Sequence, residues 1–263
     1  MRVVDFHTHA FPDLLAPRAI RALEERSGVK AETDGTVAGL LRLMDANGVQ
    51  AAVLHSIATK KEQVDAIVTW SVSVQSDRVV PFASIHPDAP DPAAAVGRIA
   101  DAGIKGIKLH SLYQSFAVDD PRMFPLYETI AERKLVLLMH AGYDIAFDRE
   151  DVASPTRLES VVANFPRLKL VLAHLGGWNW LDGVIERLIG KDVWIDTSYS
   201  VGCCTDRQRD RILSGHSMDR ILFGSDSPWG KMGEHVRYVA SFPISDEAKE
   251  KIFSRNADAL LSA

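Results

Sequence analysis

Arg2-Val3-Val4-Asp5-Phe6-His7-Thr8-His9-Ala10-Phe11-Pro12 decides between the two architectures open to this chain. Val3 and Val4 favour a strand, and period-2 alternation sends His7 and His9 to the same side of it. The strand gives way to a turn, Ala10-Phe11-Pro12-Asp13, with no glycine. A doubly wound nucleotide-binding sheet would carry a Gly-rich phosphate loop at this position. A (β/α)8 barrel has no such need and places its chemistry at the C-terminal ends of its strands. Two imidazoles on one strand face can share one metal ion, because neutral His nitrogen is a ready ligand for zinc-type cations.

The same unit recurs along the chain. Apolar runs at 49–55 (VQAAVLH), 79–86, 104–110, 135–140, 169–174, 192–197 and 220–226 read as further strands. They are continuous rather than alternating, as in a parallel sheet buried on both faces. Helical stretches separate them: Pro17 suits a first turn, Asn47-Gly48 ends the second helix, and Ser154-Pro155 opens another. From Gly233 onward the pattern predicts two helices separated near Pro243. The chain of 263 residues suits one barrel of roughly 250 residues. The expectation is a single domain over 1–263, a (β/α)8 TIM barrel with an extra C-terminal helix.

Bulk properties exclude several classes. The formal net charge is -5, with 25% charged residues, which offers no basic patch for nucleic acid. No apolar run reaches the roughly 20 residues of a membrane span. No leader is expected before the first strand, and Cys203 and Cys204 are neighbours that cannot staple distant segments. A cytoplasmic location is the default expectation. The two cysteines read as small buried residues.

The strand ends carry His7 and His9, His55, His86, Lys108 and His110, His140, His174, Asp196 and Asp226. Seven of the nine histidines therefore stand at one rim, and mixed nitrogen and oxygen donors there suit zinc or a similar divalent ion. His55, His86 and His110 are candidate substrate contacts; local hydrogen bonds are the alternative for His55 and His86. Asp196 is a candidate for orienting a ligand histidine. Phe11, Trp178, Trp180 and Trp229 are candidate walls of a substrate pocket. Tyr113, Gln114 and Arg149 lie in rim loops where they could read a substrate's polar end.

The motifs DFHTH, LLMHAG, LAHLGG and LFGSDSP, in this order, resemble the amidohydrolase superfamily, most closely its amidohydrolase 2 branch of metal-dependent hydrolases and decarboxylases. The resemblance implies one divalent ion, zinc first and manganese second, held by His7, His9, His140 and Asp226. It implies Asp226 as the group that moves the proton of an activated water, and His174 as stabiliser of the oxyanion. Some superfamily members carboxylate a fourth-strand lysine. Lys108 would then bridge two ions, with His140 and His174 binding the second. A free Lys108 facing a substrate carboxylate, or a structural ion pair, are the other readings.

The leading expectation is a hydrolase that uses a metal-activated water to cleave an amide, ester or lactone bond of a small carboxylated substrate. Non-oxidative decarboxylation of an unsaturated or aromatic acid is the alternative. A TatD-like phosphodiesterase and a non-catalytic small-molecule binder stand further back. A small molecule is the expected partner, with neither nucleic acid nor membrane, and barrels of this kind often pair, so a homodimer is an open option.

Overall fold

Every apolar run becomes a strand, and most are shorter than the sequence limits. The computed structural model describes residues 1–262. Its strands are β1 (Val4–Thr8), β2 (Ala51–His55), β3 (Val79–Phe82), β4 (Gly106–Leu109), β5 (Val136–Met139), β6 (Lys169–Leu172), β7 (Trp194–Asp196) and β8 (Ile221–Leu222). β2 is trimmed only at its N-terminal end, and β3 through β8 all lose residues at their C-terminal ends. His86, His110, His140, His174 and Asp226 therefore stand in the loops beyond the strands and not in the ladder.

All pairings are parallel and follow chain order, β1–β2–β3 and β4 through β8. Two seams join these sheets into a ring. At one, Ala83 N donates to Gly106 O at 3.1 Å and Lys108 N to Ala83 O at 2.8 Å. At the other, Phe6 N donates to Phe223 O at 2.7 Å and Asp226 N to His7 O at 2.8 Å. A buried carboxylate locks the second seam: Asp5 accepts from His7 N at 3.1 Å, from Ser225 N at 2.9 Å and from the Ser225 hydroxyl.

Side chains divide by strand face. Phe6, Val53, Phe82, Leu138, Val171 and Leu222 fill the interior, as expected of a barrel that is a packed core and not a pore. Gly106 is small for a reason, since a Cβ there would collide with the Phe82 ring. Ala257 and Leu260 of the C-terminal helix, Asn256–Ser262, join this inner cluster. The outward residues, such as Leu54, Ile107, Leu137 and Ile195, pack beneath the helices.

The first crossover is unusual in holding two helices, α1 (Ala16–Ser27) and α2 (Val37–Asn47). Gly28 ends α1 with φ +73°, a left-handed cap that glycine adopts without steric cost. The next crossover ends in α3 (Val64–Val74). The last part of the chain runs as Met232–Ala240, then Asp246–Glu250 continuing through a wider turn at Lys251–Arg255 into the C-terminal helix. Among the described residues no helix is long and apolar enough to cross a membrane.

Candidate active site at the barrel mouth

The C-terminal strand ends surround one cavity of about 460 Å³. Its walls include His7, His9, His55, Lys108, His110, His140, His174 and Asp226, with Phe11, Trp178 and Trp229. His86 is not among them. β3 ends at Phe82 and the chain turns away before reaching it, so His86 Nδ1 accepts instead from Asp88 N at 3.1 Å. Gln114 is also a structural residue: it is buried and donates to Ala58 O and Ile85 O while accepting from His110 N. Arg149 is exposed and lies over the Tyr143 ring. Trp180 stacks on Tyr143 outside the cavity, with ring centroids 4.3 Å apart. Cys203 is exposed and Cys204 half-buried, contrary to the expectation from sequence, because the loop after β7 runs over the surface.

The orientation of the imidazoles is the informative feature. His7 Nδ1 lies 2.8 Å from Asp196 Oδ2, and burial together with the Lys108 charge holds its pKa well below the ordinary value. The single proton of neutral His7 therefore sits on Nδ1, and Nε2 is a bare lone pair. That lone pair faces Asp226 Oδ1 at 3.3 Å. His9 spends Nδ1–H on His55 O at 3.1 Å and also turns Nε2 toward Asp226 Oδ1, at 3.3 Å. A lone pair aimed at a carboxylate is repulsive unless a cation lies between them. His7, His9 and Asp226 are close enough together to hold one ion.

A second pair repeats the pattern. His140 gives Nε2–H to Tyr143 O at 2.9 Å. His174 gives Nδ1–H to Ser198, whose O and Oγ lie at 3.2 and 2.8 Å. Their remaining nitrogens, His140 Nδ1 and His174 Nε2, meet at 3.2 Å. Only a shared proton or a cation relieves that contact. His110 is different. Its Nε2–H points to Asp144 Oδ2 at 3.2 Å, and its ring stacks on His140 at 3.9 Å between centroids. A second cluster of donors, His110, His140 and Asp144, is thus already satisfied in part from within.

Supporting residues that sequence reasoning does not single out become visible in the fold. Ser198 bridges Asp196, His7 and His174, and Asp144 partners His110. Asp196 also accepts from His174 N at 3.0 Å. One carboxylate therefore orients groups at the ends of β1 and β6 together. Asp196→Asn should weaken metal affinity by about 10- to 100-fold, measured by competition with a chelator of known affinity; an unchanged affinity would leave Asp196 a purely structural residue.

Backbone geometry adds strain at the same place. His174 and Asp226 adopt φ of +60° and +66°, the left-handed region that non-glycine residues visit uncommonly and that gathers at functional sites.

Electrostatics divide the floor. Burial pushes the Asp226 carboxyl up, but the neighbouring His9 and His174 rings and the Lys108 charge outweigh it, and its pKa ends below the usual value. Asp226 is therefore an anion at neutral pH. Burial draws the Lys108 ammonium down to about 8, against the pull of Asp196, Asp226 and Asp144. Among the described residues no carboxylate lies within ion-pair distance of Lys108, so the structural ion-pair reading finds no partner.

Comparisons with known proteins agree with this architecture. An uncharacterised TIM-barrel protein from Bordetella bronchiseptica superposes with a TM-score of 0.77 at 22% identity, over 100% of this chain and 99% of that one. The 5-carboxyvanillate decarboxylase of Sphingomonas paucimobilis gives 0.73 at 18% identity, covering 99% of each chain. A dihydroxybenzoic acid decarboxylase from Polaromonas with bound manganese gives 0.75 at 14% identity, covering 99% of this chain and 97% of that one. At these identities the likeness is one of fold. A dihydroorotase from Shewanella denitrificans is 35% identical over 94 residues, which spans 34% of this chain and only 27% of that protein. The amidohydrolase family model matches residues 4–262, nearly the whole barrel including the strand ends that bear the histidines, and the chain belongs to that family, in its amidohydrolase 2 branch.

Proposed function

We propose that residues 1–263 act as one domain, a metal-dependent hydrolase that cleaves an amide, ester or lactone bond of a small carboxylated molecule. The observation that carries this reading is the convergence of bare imidazole nitrogens on the Asp226 carboxylate. His7, His9, His140 and Asp226 would hold one divalent ion; nitrogen and oxygen donors of this mix suit zinc, with manganese next. Such an ion supplies Lewis-acid polarisation and a more acidic water. Asp226, an anion set among cationic and hydrogen-bonding groups, accepts the water's proton and returns it to the leaving group. Asp196 and His55 O fix the rings of His7 and His9. His174, anchored at Nδ1 by Ser198, presents Nε2 to the developing oxyanion.

Lys108, charged and unpaired on the cavity floor, receives the substrate carboxylate in this reading. Because its pKa is lowered to about 8, the cation is present below that pH and lost above it. Affinity for a carboxylated ligand should therefore fall roughly tenfold per pH unit above the transition. Lys108→Met should flatten that dependence; a profile shared by both proteins would remove Lys108 from the role.

A second reading is non-oxidative decarboxylation by the same groups. The aromatic walls Phe11, Trp178 and Trp229 beside the polar pole favour it, since apolar surroundings penalise a carboxylate and favour its loss as neutral carbon dioxide. Elemental mass spectrometry on protein purified without chelator, with assays on carboxylated lactones and esters and on aromatic acids, tests both. Near one equivalent of metal with hydrolysis supports the proposal. Near two equivalents moves His174 into the ligand set beside a carboxylated Lys108. Carbon dioxide release alone selects the second reading, and no metal with none regained on adding zinc or manganese overturns both.

A further inference from the structure

The histidines, Lys108 and Asp226 gather at one end of the cavity, and only uncharged polar groups, Ser27, Ser56, Thr59 and Gln63, stand among the rest of the residues toward α1 and α3. Toward solvent, the start of α1 and the residue before it present Leu15, Ala19 and Leu23 at four-residue steps, and α3 presents Ala66, Ile67 and Trp70 across from them. Each set is one stripe of its helix. Such stripes ordinarily vanish against a packed neighbour. Here Leu15, Ala19 and Leu23 stay half-buried, Ile67 and Trp70 rest on the core by one side only, and all five border the same open space as His7 and Asp226. α1 is also the helix that the strand–helix repeat does not require, so its presence over the mouth serves the cavity more than the barrel.

We propose that this apolar arm binds an aliphatic tail of several carbons on the substrate, whose head lies at the histidine pole. The substrate class is then a carboxylated molecule with an alkyl or acyl chain, and not a compact polar acid. Three observations favour a tail over another protein. The arm is continuous with the reacting end. Its apolar side chains come from two helices facing one another and not from one flat surface. The whole space, about 460 Å³, falls in the range of pockets that enclose a drug-sized ligand, on the order of 300–1,000 Å³, and exceeds what a small acid would fill. The position of the head rests on the carboxylate reading above; the arm does not.

Titration calorimetry on the metal-loaded protein tests the proposal with two probe series of matched length, the straight-chain acids from butyrate to decanoate and the corresponding alcohols. Each added methylene should tighten Kd by about fourfold in both series until the arm is full. Ala19→Trp and Ala66→Phe, two separate ways of filling the arm, should remove that increment and leave butyrate affinity unchanged. A flat series in the unaltered protein overturns the proposal, as do increments that survive both substitutions. Self-association abolished by either substitution, with flat series, would assign the stripes to a second copy of the chain and equally overturn it. Increments present in both series, but with no gain of acid over alcohol, would overturn the carboxylate head while leaving the arm standing.

Discussion

Asp226→Asn should lower turnover by about 10²- to 10⁴-fold, the usual contribution of a positioned acid–base group, while the metal-free protein unfolds at an unchanged denaturant midpoint. The separation of these effects is physical. Asn tolerates the left-handed region as readily as Asp, so φ of +66° at this position is kept. The backbone ties at this residue, Asp226 N to His7 O at 2.8 Å and Trp229 N to Asp226 O at 2.9 Å, do not involve the side chain. What is lost is the anion that faces His7 Nε2 and His9 Nε2, and with it both a donor to the ion and the proton acceptor. Steady-state kinetics beside a urea titration decide the matter. Full turnover in the variant would place the proton transfer elsewhere, and a collapsed midpoint would make Asp226 a structural residue.

The second large effect is expected at a residue with no side chain. Gly142, two residues past His140, sits at φ +86° with the Trp178 backbone against it; a Cβ would collide with Trp178 N and O. The loops after β5 and β6 are laced together there, through Trp178 N to Ala141 O at 2.9 Å and Tyr143 N to Trp178 O at 3.1 Å. Gly142→Ala adds a left-handed alanine, about 1–2 kcal/mol, to overpacking of about 1–3 kcal/mol. The collision is with backbone, which cannot rotate aside, so the expected loss is roughly 2–5 kcal/mol. Because Tyr143 O holds His140 Nε2, metal affinity should fall as well. Chemical denaturation with metal titration would show both losses; a variant as stable as the parent would mean that the two loops can part without cost.

Much of this site is legible in the order of residues alone. The eight apolar runs, and the histidines at their ends, emerge from residue type and position, because a parallel barrel buries both faces of each strand and exposes its chemistry at one rim. Which nitrogen of each ring faces inward is not legible. That depends on acceptors brought in from elsewhere in the fold, such as Asp196 for His7 and Tyr143 O for His140, and sequence spacing says nothing of them. Ser198 and Asp144 stay hidden for the same reason: each stands in a loop, with no periodicity to mark it. His86 misleads because the apolar run 79–86 is longer than the strand it forms; pairing stops at Ala83. The stripes on α1 and α3 show in the sequence as ordinary amphipathic helices, and only the fold shows that they also border open space.

The seam between β1 and β8 has a consequence for how the enzyme comes into being. Asp5 and Ser225 stand 220 positions apart, and His7 and His9 meet Asp226 across the same join. The trio proposed to hold the ion therefore does not exist in any fragment of the growing polypeptide that lacks the eighth strand. During synthesis the two early histidines wait, unpaired with their carboxylate, until the eighth strand has left the ribosome. Contacts of such long range form late, because the loop they close is costly in entropy. On the proposed reading ion capture follows closure of the ring, and an ion that binds only the completed ring draws the folding equilibrium toward it.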